Sequence, residues 1–147
     1  QDKYVIVHVV GAGNIDEAHS LNPRYIQKEF LLDEFGDVLA AADLVVARSG
    51  ANTIYELLAT RKPHILIPLS ARASRGDQLE NARAFTEAGY SRMIKEEDLG
   101  DELFLGEIDR AYRDRSSIAS RLAEFEIRDS VLMISDIVIE IAGGKMT

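Results

Sequence analysis

Cysteine is absent from the 147-residue chain, which excludes disulfide scaffolds, thiolate zinc sites and cysteine nucleophiles. No apolar run approaches the roughly 18 residues that a membrane-spanning helix needs. A signal-peptide pattern is missing too, so a reducing, cytosolic compartment is the default. Basic residues are the minority: 17 Lys+Arg stand against 25 Asp+Glu, a formal charge of −8. That is the wrong sign for a protein whose main task is neutralising a nucleic-acid backbone. Long repeats and Pro/Gly/Ser-rich linkers are missing as well, and the length favours one domain with a sufficient core. With 46% hydrophobic and 29% charged residues, the composition is that of a globular protein, and disorder is set aside. The chain opens on Gln1, not Met, and enters an apolar run almost at once, so a piece of something longer is expected. Histidines carry little: His8 and His64 lie in strand runs and read as packed, and His19 reads as a helix-surface residue. No His/Glu cluster has metal spacing, no Ser/His/Asp set can be picked out, and metal or nucleophilic catalysis is disfavoured.

What is present is alternation. The β-branched run over 4–10, closed by Gly11-Ala12-Gly13-Asn14, predicts a strand buried on both faces. A weak helical stretch over 15–21 ends at Asn22-Pro23, and 25–32 is an ambiguous short strand. Asp33 offers an N-cap for a helix through Ala42. A second buried strand is predicted over 43–47, a helix over 51–60 and a third buried strand over 63–69. A polar loop over 70–76 leads into a helix that Gly89 stops, and 90–95 is a last short strand. The remainder reads as helical. Leu103, Phe104, Ile108, Ala111 and Tyr112 share a face, as do Ile118, Leu122 and Phe125, and then Ile134, Ile137, Val138 and Ile141. Gly143-Gly144 is expected to end the last helix. Strands alternating with helices give an α/β fold, a Rossmann-like parallel sheet covered on both faces. Such sheets bind ligands outside the carboxyl ends of their strands.

Three strand ends therefore matter. Gly11-Ala12-Gly13 is half of a dinucleotide fingerprint, but Asp16 stands where the third glycine belongs, and a tight turn needing positive φ is the preferred reading. At the second end, Ser49, Asn52, Thr53 and Glu56 fall at i, i+3, i+4, i+7 as a polar stripe. Ala51, Ile54, Tyr55 and Leu58 form another stripe, expected to pack on the sheet. Small residues at Ser49-Gly50-Ala51 leave the helix start open, and free N–H groups at a positive dipole end suit a phosphate. A carboxylate at Glu56 is placed to accept two hydroxyl protons from an attached ribose. An ordinary helix with a solvated Glu fits the same spacing. At the third end, Arg72 and Arg75 are candidates to face phosphates, and Asp77, Gln78 and Asn81 to bond a polar ligand. A solvated loop with Asp77 on the helix dipole fits equally.

The stretch "ADLVVARSGANTIYELLATRKPHILIPLSARASRGDQLENARAFTEAGYSRMIKEEDL" resembles the donor-binding half of the MurG family. These are the peptidoglycan glycosyltransferases that move N-acetylglucosamine from UDP-N-acetylglucosamine onto lipid I. "HVVGAGN" at 8–14 resembles an earlier strand and turn of that half, and "RSGANTIYEL" and "DQ..NA" are the specific parts. The resemblance implies the C-terminal half of a two-domain glycosyltransferase of the GT-B fold, with UDP-N-acetylglucosamine as donor. Its acceptor is lipid-linked and reached through an N-terminal domain. No metal or other cofactor and no nucleic acid is implied, and the setting is peripheral at the inner face of the cell membrane.

Carried over by position, Glu56 corresponds to the acid on the ribose hydroxyls. Ser49, Gly50, Ala51 and Asn52, with Thr53 beside them, correspond to the helix start beneath the diphosphate. Gln78 corresponds to a glutamine that reads sugar hydroxyls, and Leu32 to an apolar residue laid against uracil. Gly11 and Gly13 fall at the neighbouring turn. Asp77 departs from the His or Gln usual at its position. The family's first Gly-Gly-Ser loop of this half, its acceptor domain and its catalytic base have no counterpart, so no catalytic residue is assigned. A donor domain truncated at its N-terminus is expected, inactive by itself. Rival readings are a glycolipid glycosyltransferase, a UDP-N-acetylglucosamine epimerase, or a non-enzymatic flavodoxin-like nucleotide-binding or signalling module.

Overall fold

The computed structural model describes residues 3–70, 73 and 76–125. They fall into two compact units, the first ending at Ala42 and the second starting at Asp43. In the first unit, β1 (Ile6–Val9) pairs in parallel with β2 (Tyr25–Lys28), Ile6 opposite Tyr25. The link runs through the glycine turn and a single 3-10 turn, Glu17–His19, which Asp16 caps by accepting from the Ala18 N–H. A seven-residue helix, α1 (Phe35–Ala41), follows and buries Leu39 alone.

Two expectations are corrected here. The β1 run is not buried on both faces: Ile6 is 48% and Val7 40% exposed. Successive residues of a strand point to opposite faces, so neither face is covered. The cause is pairing. Among the described residues β1 has β2 as its sole partner, and short α1 shields neither side. Nor does Asp33 cap α1. The N-cap position falls on Glu34, whose backbone is already right-handed helical and whose side chain makes no cap bond; a side-chain cap needs extended geometry there.

The second unit carries the larger core. Strands β3 (Val45–Ala47), β4 (His64–Leu66) and β5 (Arg92–Met93) form a parallel sheet in that order. Each parallel step needs a crossover. α2 (Ala51–Ala59) supplies the first and α3 (Asp77–Glu87) the second. β4 is central and buried at all three positions. Val46 of β3, by contrast, is exposed, because β3 ends the sheet among the described residues and pairs with β4 alone. Ile65, Ile94 and Ala111 make a central cluster with Leu44, Ile67, Phe104 and Ile108 packed around it. Ala111 comes from α4 (Asp101–Glu124), whose Ile118 and Leu122 are also buried. Leu103, expected on that face, is exposed.

Helix α2 turns a different face inward from the one expected. Ile54, Leu57 and Leu58, at i, i+3, i+4, are buried, whereas Ala51 and Tyr55 are exposed. At about 100° per residue, Tyr55 lies a quarter-turn off the axis that those three residues define. Gly89 ends α3 as expected, at φ +77°. Its carbonyl accepts from Arg121 Nε at 2.6 Å, which ties the turn to α4. Beside it, Tyr90 and Phe125 meet edge to face at 5.3 Å between ring centroids. The helix predicted over 134–141 and its Gly143-Gly144 stop lie outside the described residues.

Candidate functional site at the carboxyl ends of the strands

In a parallel sheet all carboxyl ends lie on one edge. In the second unit that edge gathers Arg48 and Ser49 after β3, residues 67–70 after β4, and Glu96 after β5. Helix α2 starts there without a side-chain cap. Gly50 is its N-cap in extended conformation, no acid sits in the first turn, and the space over the Gly50 Cα is open. Ile54 donates to the Gly50 carbonyl. The N–H groups of Ala51, Asn52 and Thr53 find no acceptor among the described residues, as a helix start requires. Asn52 and Glu56, one turn apart, share the exposed side of α2. No described residue pairs with the Glu56 carboxylate.

Ser49 sits differently. It is fully buried, and its Oγ donates to the Gln78 carbonyl at 2.8 Å. Asn81 Nδ2 in turn donates to the Ser49 carbonyl at 3.3 Å. These bonds fasten the end of β3 to the first turn of α3, so the hydroxyl is a structural brace. Gln78 is half-buried, and its Oε1 accepts the Leu69 N–H at 3.1 Å. Only the amide oxygen can accept, which fixes the flip and leaves Nε2 as the end free to donate. Asp77 is exposed, one residue after Gly76, whose φ of +90° gives α3 its left-handed entry. Arg72 and Arg75 lie outside the described residues.

One residue at this edge escaped sequence reasoning. Glu96, in the 3-10 turn Glu96–Asp98, receives Arg48 Nη2 on Oε1 at 2.8 Å and the Ser70 N–H on Oε2 at 3.1 Å. Arg48 Nη1 also donates to the Ile67 carbonyl at 3.2 Å. The Ser70 bond first, and the Arg48 guanidinium second, hold the Glu96 carboxyl below its ordinary range. The signal available was position: an acidic triplet stands directly beyond a strand, at the edge where polar groups converge.

The first unit contributes its own strand end. Gly11 (φ +82°) and Gly13 (φ +70°) form the left-handed turn. The Gly11 N–H donates to the Glu29 carbonyl at 3.2 Å and the Gly13 N–H to Glu29 Oε1 at 2.6 Å. Glu29 thus occupies both turn amides, one through its backbone carbonyl and one through its carboxylate, in keeping with the tight-turn reading. Leu32 is 77% exposed, an open apolar surface. Among the histidines, His8 Nδ1 meets the Tyr25 hydroxyl at 2.6 Å and His19 Nδ1 meets Asp16 at 2.7 Å, both at the surface. His8 was expected to be packed and is exposed, for the reason that β1 is. His64 is the packed one. It is fully buried, its Nδ1–H donates to the Lys62 carbonyl at 2.7 Å, and its Nε2 has no partner. Among the described residues, no three His, Cys, Asp or Glu side chains are grouped to hold a metal ion.

A parallel α/β domain of this kind binds its ligand at this edge. The chain belongs to the family of the glycosyltransferase family 28 C-terminal domain, whose model matches residues 1–133. It is 46% identical over 136 residues to a UDP-N-acetylglucosamine–N-acetylmuramyl-(pentapeptide) pyrophosphoryl-undecaprenol N-acetylglucosamine transferase of Clostridium perfringens, covering 92% of this chain and 38% of that protein. An enzyme of the same description from Clostridium botulinum is 39% identical, also over 136 residues, with the same coverage. The chain thus spans well under half the length of these relatives. Among solved structures, Acinetobacter baumannii MurG superposes with a TM-score of 0.69 at 17% identity, over 79% of this chain and 35% of that one. The glycotransferase of kitacinnamycin superposes at 0.66 and 23% identity, over 80% of this chain and 29% of that one. These two likenesses establish the shared fold.

Proposed function

We propose that the chain is the donor-binding domain of an enzyme that transfers N-acetylglucosamine from UDP-N-acetylglucosamine to lipid I in peptidoglycan synthesis. The observation that carries this reading is the open start of α2 followed, on its exposed side, by Glu56, whose carboxylate has no partner among the described residues. The free N–H groups and positive end of α2 suit a diphosphate, with Gly50, Ala51, Asn52 and Thr53 around it. The Glu56 carboxylate takes both ribose hydroxyls. Gln78 and Asp77 face the sugar, Gln78 through its donating Nε2.

In the reaction, a hydroxyl of the acceptor displaces UDP at the anomeric carbon with inversion. As that bond breaks, negative charge grows on the leaving diphosphate, where the α2 dipole stabilises it. No described residue is assigned as the base. The undecaprenol carrier named for the relatives implies work at the inner membrane face. Among the described residues no helix is long and apolar enough to cross a membrane.

Calorimetry with UDP, UMP, FMN and NAD tests the ligand class. UDP binds most tightly; tighter FMN or NAD binding refutes the reading. Glu56→Gln keeps the shape of the side chain and removes the charge behind two hydrogen bonds. UDP affinity falls by about tenfold, the lower end for bonds to charged groups because Glu56 is solvated. 2′-Deoxy-UDP binds the unsubstituted chain more weakly but loses little further with Glu56→Gln. Fully additive losses, or none, would remove Glu56 from the site.

A further inference from the structure

Gln78 is held in one orientation by a chain of contacts that begins well away from it. Leu69 and Ser70 are consecutive, and their two N–H groups have different acceptors. Leu69 donates to Gln78 Oε1 at 3.1 Å, and Ser70 donates to Glu96 Oε2 at 3.1 Å. Glu96 is itself fixed through its other oxygen by Arg48 at 2.8 Å, and Arg48 by the Ile67 carbonyl at 3.2 Å. Arg48 therefore spans the ends of β3 and β4, and Glu96 joins both to the turn beyond β5. No other described carboxylate joins the three strand ends. The pair is half-exposed, with Arg48 49% and Glu96 34% accessible, so its worth for stability alone is small. A carboxylate placed to receive the backbone N–H next to the one that holds the Gln78 amide has a different use: it steadies the backbone that aims the amide.

We propose that Glu96, held by Arg48, is a positioning residue for sugar recognition. It fixes the 69–70 peptide through the Ser70 N–H, and with it the adjoining 68–69 peptide whose Leu69 N–H engages Gln78 Oε1, so that Nε2 faces the bound sugar as a pure donor. The proposal rests on the donor-binding reading above. It concerns only the hexose, because the ribose and diphosphate contacts of that reading lie on α2. The consequence is a split between two ligands. Glu96→Gln leaves UDP affinity within about twofold and reduces the advantage of UDP-N-acetylglucosamine over UDP by about fivefold, the worth of one well-placed hydrogen bond. Gln78→Ala removes the same advantage directly. In the Gln78→Ala background, Glu96→Gln then costs nothing more, since a positioning residue has nothing left to position. Arg48→Met approaches the relay from its other end and gives the same split should Glu96→Gln fold poorly.

Calorimetry of the 147-residue chain with UDP and with UDP-N-acetylglucosamine decides the matter, with melting temperature recorded for each variant. Loss confined to the sugar nucleotide, and absent in the Gln78→Ala background, supports the relay. Equal losses for both ligands, an unchanged ratio, or additivity with Gln78→Ala overturns it and leaves the donor reading standing. An unsubstituted chain that binds neither nucleotide overturns the donor reading and the relay with it.

Discussion

His64 makes the stability of the second unit depend on pH, and the sign follows from its surroundings. The ring is fully buried at the start of β4, and Nε2 faces no partner. Burial drives its pKa below the ordinary value, and the bond to the Lys62 carbonyl, which favours the charged ring, only partly opposes this. The unfolded chain binds the proton near pH 6.5, and the folded chain resists it until lower pH. Stability is therefore full above about pH 6.5 and falls as the pH drops towards the folded value. The slope of one such group is at most about 1.4 kcal/mol per pH unit, so acidifying from 6.5 to 5 costs up to about 2 kcal/mol. His64→Leu removes the titration and closes over the orphaned nitrogen. Urea denaturation followed by far-ultraviolet circular dichroism, at pH 7.5 and 5.0, compares the two proteins. The unsubstituted chain loses more stability on acidification than His64→Leu, by at most about 2 kcal/mol on the slope above. Equal losses would show that His64 takes up its proton without strain and would refute the argument.

Two further outcomes follow from the geometry. Ser49→Ala removes a buried bond to the Gln78 carbonyl and costs about 1 kcal/mol in urea denaturation; it also weakens UDP-N-acetylglucosamine more than UDP, because α3 loses its brace. Gly89→Ala must hold φ +77° and brings a Cβ to 3.1 Å from Arg121 Nε. It lowers stability by about 1–2 kcal/mol, seen as a reduced melting temperature, whereas Gly106→Ala, with open space around it, does not.

Local pattern carried much of this protein. The order of strands and helices, the parallel pairing, the start of α2 at Gly50 and the stop of α3 at Gly89 all follow from periodicity and backbone freedom. Both act over a few residues, so a single sequence displays them. The polar stripe bearing Asn52 and Glu56 was legible for the same reason: one helix turn fixes which residues share a side. Tertiary structure decided the rest. Whether an apolar strand is buried depends on what lies over it, and nothing in Val5, Ile6 or Val7 says that both faces of β1 stay open. The inward face of α2 was set by the sheet that Ile54, Leu57 and Leu58 meet, not by the count of apolar residues. Ser49 reads as a helix-start residue, but it bonds a carbonyl 29 positions away. Glu96 reads as one acid in a surface run and becomes the clamp on Arg48, 48 positions back. Such partnerships depend on where the crossovers return the chain, because a side chain bonds whichever group the packed sheet places within about 3 Å of it.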